Sequence, residues 1–136
     1  MKVVAVSGYF DPLHIGHIEL FERAKELGDK LIVIVNNDEQ AVLKKGKSFM
    51  PCDERMKIIK ALRVVDDVFK SIDTDRTVCK SLAVVKPAIF ANGGDRHNQE
   101  IPESDVCRKN NITIIDGLGD KIQSSSDLVK HAKVHS

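Results

Sequence analysis

Four short apolar runs restrict this chain's architecture more than any other feature: Val3-Val4-Ala5-Val6, Leu31-Ile32-Val33-Ile34-Val35, Ala88-Ile89-Phe90-Ala91 and Ile112-Thr113-Ile114-Ile115. Each is continuous rather than alternating, as in strands covered on both faces. Asp67-Val68-Phe69-Lys70-Ser71-Ile72 alternates and reads as a fifth strand nearer an edge. Helical periods separate the runs. Leu13, Leu20, Ala24 and Leu27 share one helix face, with Gly28 as the stop. Met56, Ile59 and Leu62 mark a helix opened by Pro51, Cys52 and Asp53, and Val78, Leu82 and Val85 mark one closed by Lys86-Pro87. A last helix is expected from Ser124-Ser125-Ser126 through Leu128 and Val129. Strand–helix alternation of this kind requires right-handed crossovers and parallel pairing. The expectation is an α/β fold: one doubly wound, mainly parallel five-stranded sheet with helices on both faces, Rossmann-like, formed by residues 1–136 as a single domain. Ligands in such sheets bind beyond the carboxyl ends of the strands.

Composition narrows the partners. A formal net charge of +1 leaves no basic stripe for nucleic acid or an anionic membrane. No apolar run approaches the roughly 20 residues that span a bilayer, and Met1-Lys2-Val3-Val4-Ala5-Val6 is too short for a signal-peptide core. Cys52, Cys79 and Cys107 are scattered, odd in number and not in zinc-ligand spacing, so reduced thiols in a cytoplasmic protein are expected.

The polar motifs fall at strand ends. The first apolar run stops into Ser7-Gly8-Tyr9-Phe10-Asp11-Pro12-Leu13-His14-Ile15-Gly16-His17. His14 and His17, three apart, would share a face on a helix starting near Pro12. Its first turn also offers unbonded N–H groups, a natural cradle for phosphate. Two imidazoles there can donate to phosphoryl oxygens as charge builds, or they can be two surface histidines at a helix start. Only two zinc ligands are visible, so no metal site is assigned. Gly16 leaves room for a base or ribose, and Gly8 lets the backbone approach a triphosphate.

The run Gly8-Tyr9-Phe10-Asp11-Pro12-Leu13-His14-Ile15-Gly16-His17 resembles the signature of the cytidylyltransferase-like nucleotidyltransferase superfamily. The resemblance extends from Val3 to about Lys130. It implies that His14 and His17 contact the nucleotide's phosphates, and that the loop residues Tyr9, Phe10 and Asp11 line the nucleotide. Class I aminoacyl-tRNA synthetases share the His-Ile-Gly-His string, but they need far more chain and a lysine-serine loop absent here.

Further along, Lys44-Lys45-Gly46-Lys47 reads as a basic surface loop. The resemblance makes Lys44 and Lys47 candidates for holding the triphosphate or an acceptor phosphate. Asp53-Glu54-Arg55-Met56 matches the family's Glu-Arg helix start, and Arg55 either forks onto a phosphate or caps local carboxylates. In Asn92-Gly93-Gly94-Asp95 the glycines permit a tight turn. The resemblance assigns Asn92, Gly94 and Asp95 to ribose or base. Ser124, Ser125 and Ser126 suit helix capping. They also align with a family serine/threonine motif that contacts nucleotide phosphates, where Gln123 departs from the usual apolar residue.

The stretches Ala61-Leu62-Arg63-Val64-Val65-Asp66-Asp67-Val68 and Val84 to Asp95 look most like the adenylyltransferase domain of bacterial heptose-phosphate enzymes. Those transfer AMP from ATP to a sugar 1-phosphate. Gly119-Asp120-Lys121-Ile122 lacks the arginine of the cytidylyltransferase pattern, which favours ATP over CTP. Archaeal-type FAD synthetases resemble the amino-terminal half almost as well. The implied chemistry is one in-line displacement at the α-phosphorus, with Mg²⁺ bridging phosphate oxygens and no covalent nucleophile. The partners are a small-molecule nucleotide and a phosphorylated acceptor, the acceptor pocket being built from residues 36–50 and 96–105, and a homodimer is compatible by analogy. The rival from another class is an ATP-binding module, which would need neither paired histidines nor a second phosphate pocket.

Overall fold

The structure is a computed structural model that describes residues 1–93 and 101–118. In chain order it contains β1 (Val3–Gly8), α1 (Ile15–Lys25), β2 (Lys30–Val35), α2 (Asp38–Lys45), α3 (Cys52–Lys60), β3 (Asp67–Lys70), α4 (Cys79–Val85), β4 (Ile89–Ala91), α5 (Ser104–Lys109) and β5 (Thr113–Ile115). All strand pairs are parallel and the sheet order is β3-β2-β1-β4-β5. The five parallel strands expected from the sequence are therefore present, and the alternating run forms β3 at an edge, with partly exposed side chains.

The continuous apolar runs have a direct physical cause. Along β1, Val4 and Val6 enter one core with Phe21 and Ala24 of α1 and Ile59 of α3. Ala5, between them, enters a second core with Leu82 of α4 and Cys107 of α5. Successive side chains point to opposite faces, and both faces are covered over Val4–Val6, so that stretch is apolar without alternation.

Two helices were not legible as helices. Asp38–Lys45 reads as a turn and a basic loop, yet it forms α2. Its interior carries only Gln40 and Ala41 buried, while Val42 and Leu43 are exposed, so it has no clean apolar period. Its ends are nonetheless encoded locally. Asn37 and Gln40 form a reciprocal capping box, and Gly46 takes a left-handed φ of 82° at the C-cap. Helix α5 is a short six-residue piece held by one buried residue, Cys107. The helix expected from Ser124 lies outside the described residues. Helix α1 begins at Ile15, with His14 as its N-cap, rather than near Pro12. Among the described residues no helix is long and apolar enough to cross a membrane.

The strand order positions the site. The chain moves outward from β1 through β2 to β3, then returns to the other side of β1 for β4 and β5. The direction of winding reverses between β1 and β4, and the carboxyl end of β1 borders the crevice that such a reversal opens.

Candidate active site

Strand β1 delivers Gly8, Tyr9 and Phe10 into this crevice. Phe10 has a left-handed φ of 52°, and its buried ring packs edge-on against His17 and Phe21, at centroid distances of 4.9 and 5.2 Å. A Cβ on Gly8 would fall 2.7 Å from that ring. Gly8 thus makes room first for the ring that supports His17. Phe10 lines the crevice, and its side chain belongs to the core.

The two histidines are locked by a local exchange. The Gly16 N–H donates to His14 Nδ1 and the His14 N–H donates to His17 Nδ1, both at 3.1 Å. Their rings stack at 3.8 Å. An Nδ1 that accepts a hydrogen bond carries no proton, so each neutral ring holds its proton on Nε2. They are therefore N-cap and third residue of α1, a capping box built from histidines. Gly16 directs its N–H to His14.

Burial, and then the neighbouring His14, push His17 down from 6.5 to about 4, so its ring is neutral at pH 7. Its folded pKa lies below the unfolded one, so the unfolded chain binds more protons between those values. The stability that neutral His17 contributes is complete above pH 6.5 and is lost as pH falls toward about 4. The melting temperature is expected to drop across that window, and less steeply in His17→Gln. Equal slopes for the two proteins would contradict the assignment.

Asp11 and Arg55 both brace the loops around the crevice, which Asp11 also lines. The buried Asp11 carboxylate accepts from the N–H groups of Phe49 and Met50, both at 2.8 Å, and pairs with Lys45 at 3.2 Å. Burial pulls its carboxyl up, but the Phe49 N–H, the Lys45 ammonium and the Met50 N–H outweigh that and hold it below the ordinary value. Arg55 is only 1% exposed. It donates from Nε to the Met50 carbonyl, from one terminal nitrogen to the Tyr9 and Asn36 carbonyls, and from the other to Asp38. Four of a guanidinium's five N–H groups are thus spent inside the protein. The phosphate fork expected of Arg55 gives way to the alternative of bracing local acceptors.

The lysines also differ from expectation. Lys44 and Lys45 lie in the last turn of α2 and line the crevice, whereas Lys47 is exposed beyond the helix and is not among its lining residues. The Lys44 ammonium sits 4.3 Å from the centre of the Tyr9 ring. Burial lowers its pKa, and repulsion from Lys45 and Arg76 adds to the effect. Arg76 was missed by the sequence reading, although it follows the carboxyl end of β3. Its loop is rigidly held: Asp73 accepts from the N–H groups of Lys80 and Ser81, and Gln40 Nε2 donates to the Asp75 and Thr77 carbonyls.

These residues border two cavities. One, of about 410 Å³, is lined by His14, His17, Lys44 and Lys45. The other, of about 240 Å³, is lined by Asn36, Arg76, Asn92 and Glu103, with Val78 and Phe90 as apolar wall. Ser7, Gly8 and Tyr9 line both. Asn92 is thus placed with the second cavity rather than beside the histidines. Asn36 and Glu103 of the second cavity fall within residues 36–50 and 96–105, the segments expected to build the acceptor pocket, as does Lys45 of the first, whereas Ser7 and Arg76 lie outside them. Gly94, Asp95, Ser124, Ser125 and Ser126 lie outside the described residues.

Among the described residues no group of three or more His, Cys, Asp or Glu side chains could hold a metal ion.

Comparison with known proteins agrees with this geometry. The family model described as cytidylyltransferase-like matches residues 5–129. The FAD synthase of Ferroglobus placidus is 38% identical over 112 residues, covering 82% of this chain and 72% of that protein. The bifunctional protein HldE of Nitratiruptor sp. is 36% identical over 117 residues, covering 85% of this chain but only 24% of that longer protein. The crystal structure of the lipopolysaccharide core biosynthesis protein from Thermoplasma volcanium matches with a TM-score of 0.71 at 29% identity, covering 85% of this chain and 95% of that one.

Proposed function

The chain belongs to the cytidylyltransferase-like family and is a nucleotidyltransferase, and on that footing we propose that it transfers AMP from ATP to a small phosphorylated acceptor, a sugar 1-phosphate, releasing pyrophosphate. One observation carries this reading: two cavities share the end of β1 as a common wall, one with stacked histidines and lysines, the other with Arg76, Glu103, Asn36 and Asn92. A module that only bound ATP would need one of them. A transfer between two substrates needs both, meeting at the reacting phosphorus.

In this reading the triphosphate lies in the histidine–lysine cavity and the acceptor's organic part in the Arg76 cavity. An acceptor phosphate oxygen forms a bond to the α-phosphorus, the bond from that phosphorus to the α–β bridging oxygen breaks, and pyrophosphate leaves with the electron pair. Catalysis of such a displacement is mostly positioning and charge stabilisation. His17 donates from Nε2 to the α-phosphoryl oxygens, with His14 stacked against it, and Lys44 and Lys45 neutralise the departing pyrophosphate. The serine motif at 124–126 and Asp95 remain assigned to phosphate and ribose through the family resemblance. Mg²⁺ would offset the negative charge of the triphosphate and of the departing pyrophosphate.

A second reading is supported by identity to proteins named FAD synthase, 38% for Ferroglobus placidus and 40% over 94 residues for Pyrococcus abyssi. It differs only in the acceptor, FMN. The polar residues Asn36, Asn92 and Glu103 of the acceptor cavity support a hydroxyl-rich acceptor, and its apolar wall of Val78 and Phe90 supports a flavin. Pyrophosphate release with ATP or CTP, against sugar 1-phosphates, glycerol 3-phosphate, phosphocholine and FMN, tests the choice. Release with ATP and a sugar 1-phosphate is expected. Release with FMN alone would replace the acceptor, release with CTP alone the nucleotide, and nucleotide binding without any release would overturn transfer itself.

A further inference from the structure

Among the described residues, one buried side-chain polar atom lacks a hydrogen-bond partner: the hydroxyl of Tyr9. Burying a hydroxyl unbonded costs on the order of 1–3 kcal/mol, and folded proteins rarely tolerate it without a reason. Tyr9 is also one of the three residues that line both cavities. The rest of the residue is firmly placed. Its carbonyl accepts from the buried Arg55 at 2.7 Å, and the Lys44 ammonium lies 4.3 Å from the centre of its ring.

We infer that Tyr9 divides the crevice into a nucleotide side and an acceptor side, and that its hydroxyl donates a hydrogen bond to the acceptor's phosphate where the cavities meet. The inference rests on the transfer reading above for the identity of that phosphate's carrier. A neutral phenol suits the position. It donates to an anionic oxygen without pairing with it as a cation would, so it orients the attacking phosphate and leaves its charge available for attack. The cations Lys44 and Arg76 lie on either side of this wall, one lining each cavity. Lys44 is held over the ring by a contact that a phosphate outcompetes, since a cation–π contact at a partly exposed site is worth about 0.5–1 kcal/mol and a charge-assisted hydrogen bond more. A phosphate arriving at the shared wall therefore draws Lys44 away from the ring and reaches the phenol. Tyr9 is in this sense a specificity-determining residue. It selects an acceptor whose phosphate reaches the shared wall while its organic part fits among Asn36, Arg76 and Glu103.

The chain contains a single tyrosine and no tryptophan, so its tyrosine emission reports Tyr9 alone. Titrating the wild-type protein with inorganic phosphate, and with glucose 1-phosphate, is expected to change that emission saturably. Tyr9→Phe keeps the ring and its contact with Lys44 and removes one oxygen. By calorimetry the variant should bind the same two probes about tenfold more weakly, the usual loss for a hydrogen bond to a charged group. Its affinity for ATP should stay within about twofold, and its melting temperature should not fall. With an acceptor that supports pyrophosphate release, its KM for that acceptor should rise about tenfold while the KM for ATP holds. Unchanged emission in the wild type, equal probe affinities in the two proteins, or a loss falling on ATP instead would each overturn the inference. Saturable emission without pyrophosphate release from any acceptor would uphold Tyr9 as a phosphate donor and overturn the transfer reading. Release with Tyr9→Phe indistinguishable from wild type would do the reverse.

Discussion

His17→Ala is expected to slow pyrophosphate release about 100-fold or more under saturating ATP and acceptor, because it removes one preorganised donor from the charge that builds at the α-phosphorus. The size of the effect follows from how firmly that donor is held. His17 Nδ1 is occupied by the His14 N–H, which directs the ring and puts its proton on Nε2. Phe10 packs against the ring edge at 4.9 Å. The ring is neutral at working pH, so it needs no proton uptake before it donates. Alanine also removes packing from a partly buried position, so the variant's melting temperature and its ATP affinity must be measured beside its turnover. A fall in turnover with nucleotide binding retained places the effect on the chemical step. Near-normal turnover would remove His17 from the proposed machinery.

Arg55→Met is the substitution with the largest expected effect on stability. It keeps an unbranched side chain of similar length, and it leaves the Tyr9, Asn36 and Met50 carbonyls without their donor and Asp38 without its cation. The loss of a buried charge from its partners costs about 3–5 kcal/mol. For a chain of this size that corresponds to a fall in melting temperature on the order of 10 °C or more. Because Arg55 binds the carbonyls of both Tyr9 and Asn36, the loops that end β1 and β2 should loosen together, and catalysis should fall with the fold. An opposite pattern, with the melting temperature preserved and the KM for ATP raised, would restore the phosphate-binding role expected from the sequence.

Much of the site was legible in residue order because the relevant signals are local. The motif from Gly8 to His17 is a strand end, a loop and a helix start in continuous chain, and its histidines cap α1 by bonds spanning two and three residues. The roles of Asp11 and Arg55 were not legible, because their partners are distant in sequence. Asp11 meets Met50 across 39 residues, and Arg55 meets Tyr9 across 46. A charged residue beside a phosphate-type motif reads equally as a ligand contact or as a brace, and only its burial separates the two. Helix α2 was missed for a different reason. Its inward face is nearly polar, with Gln40 fully buried and bonded to the Asp75 and Thr77 carbonyls, so the apolar period was absent although the capping signals were present.

The sequence by itself determined the class of fold and the end of the sheet where chemistry belongs. Strands covered on both faces must be apolar throughout, and that pattern survives in one dimension. The order β3-β2-β1-β4-β5, the placement of Lys45 rather than Lys47 along the crevice, the arrival of Arg76 and the burial of Arg55 were decided only by tertiary structure. Each depends on which carboxyl ends lie side by side once the chain reverses its winding at β1, and no local propensity carries that information.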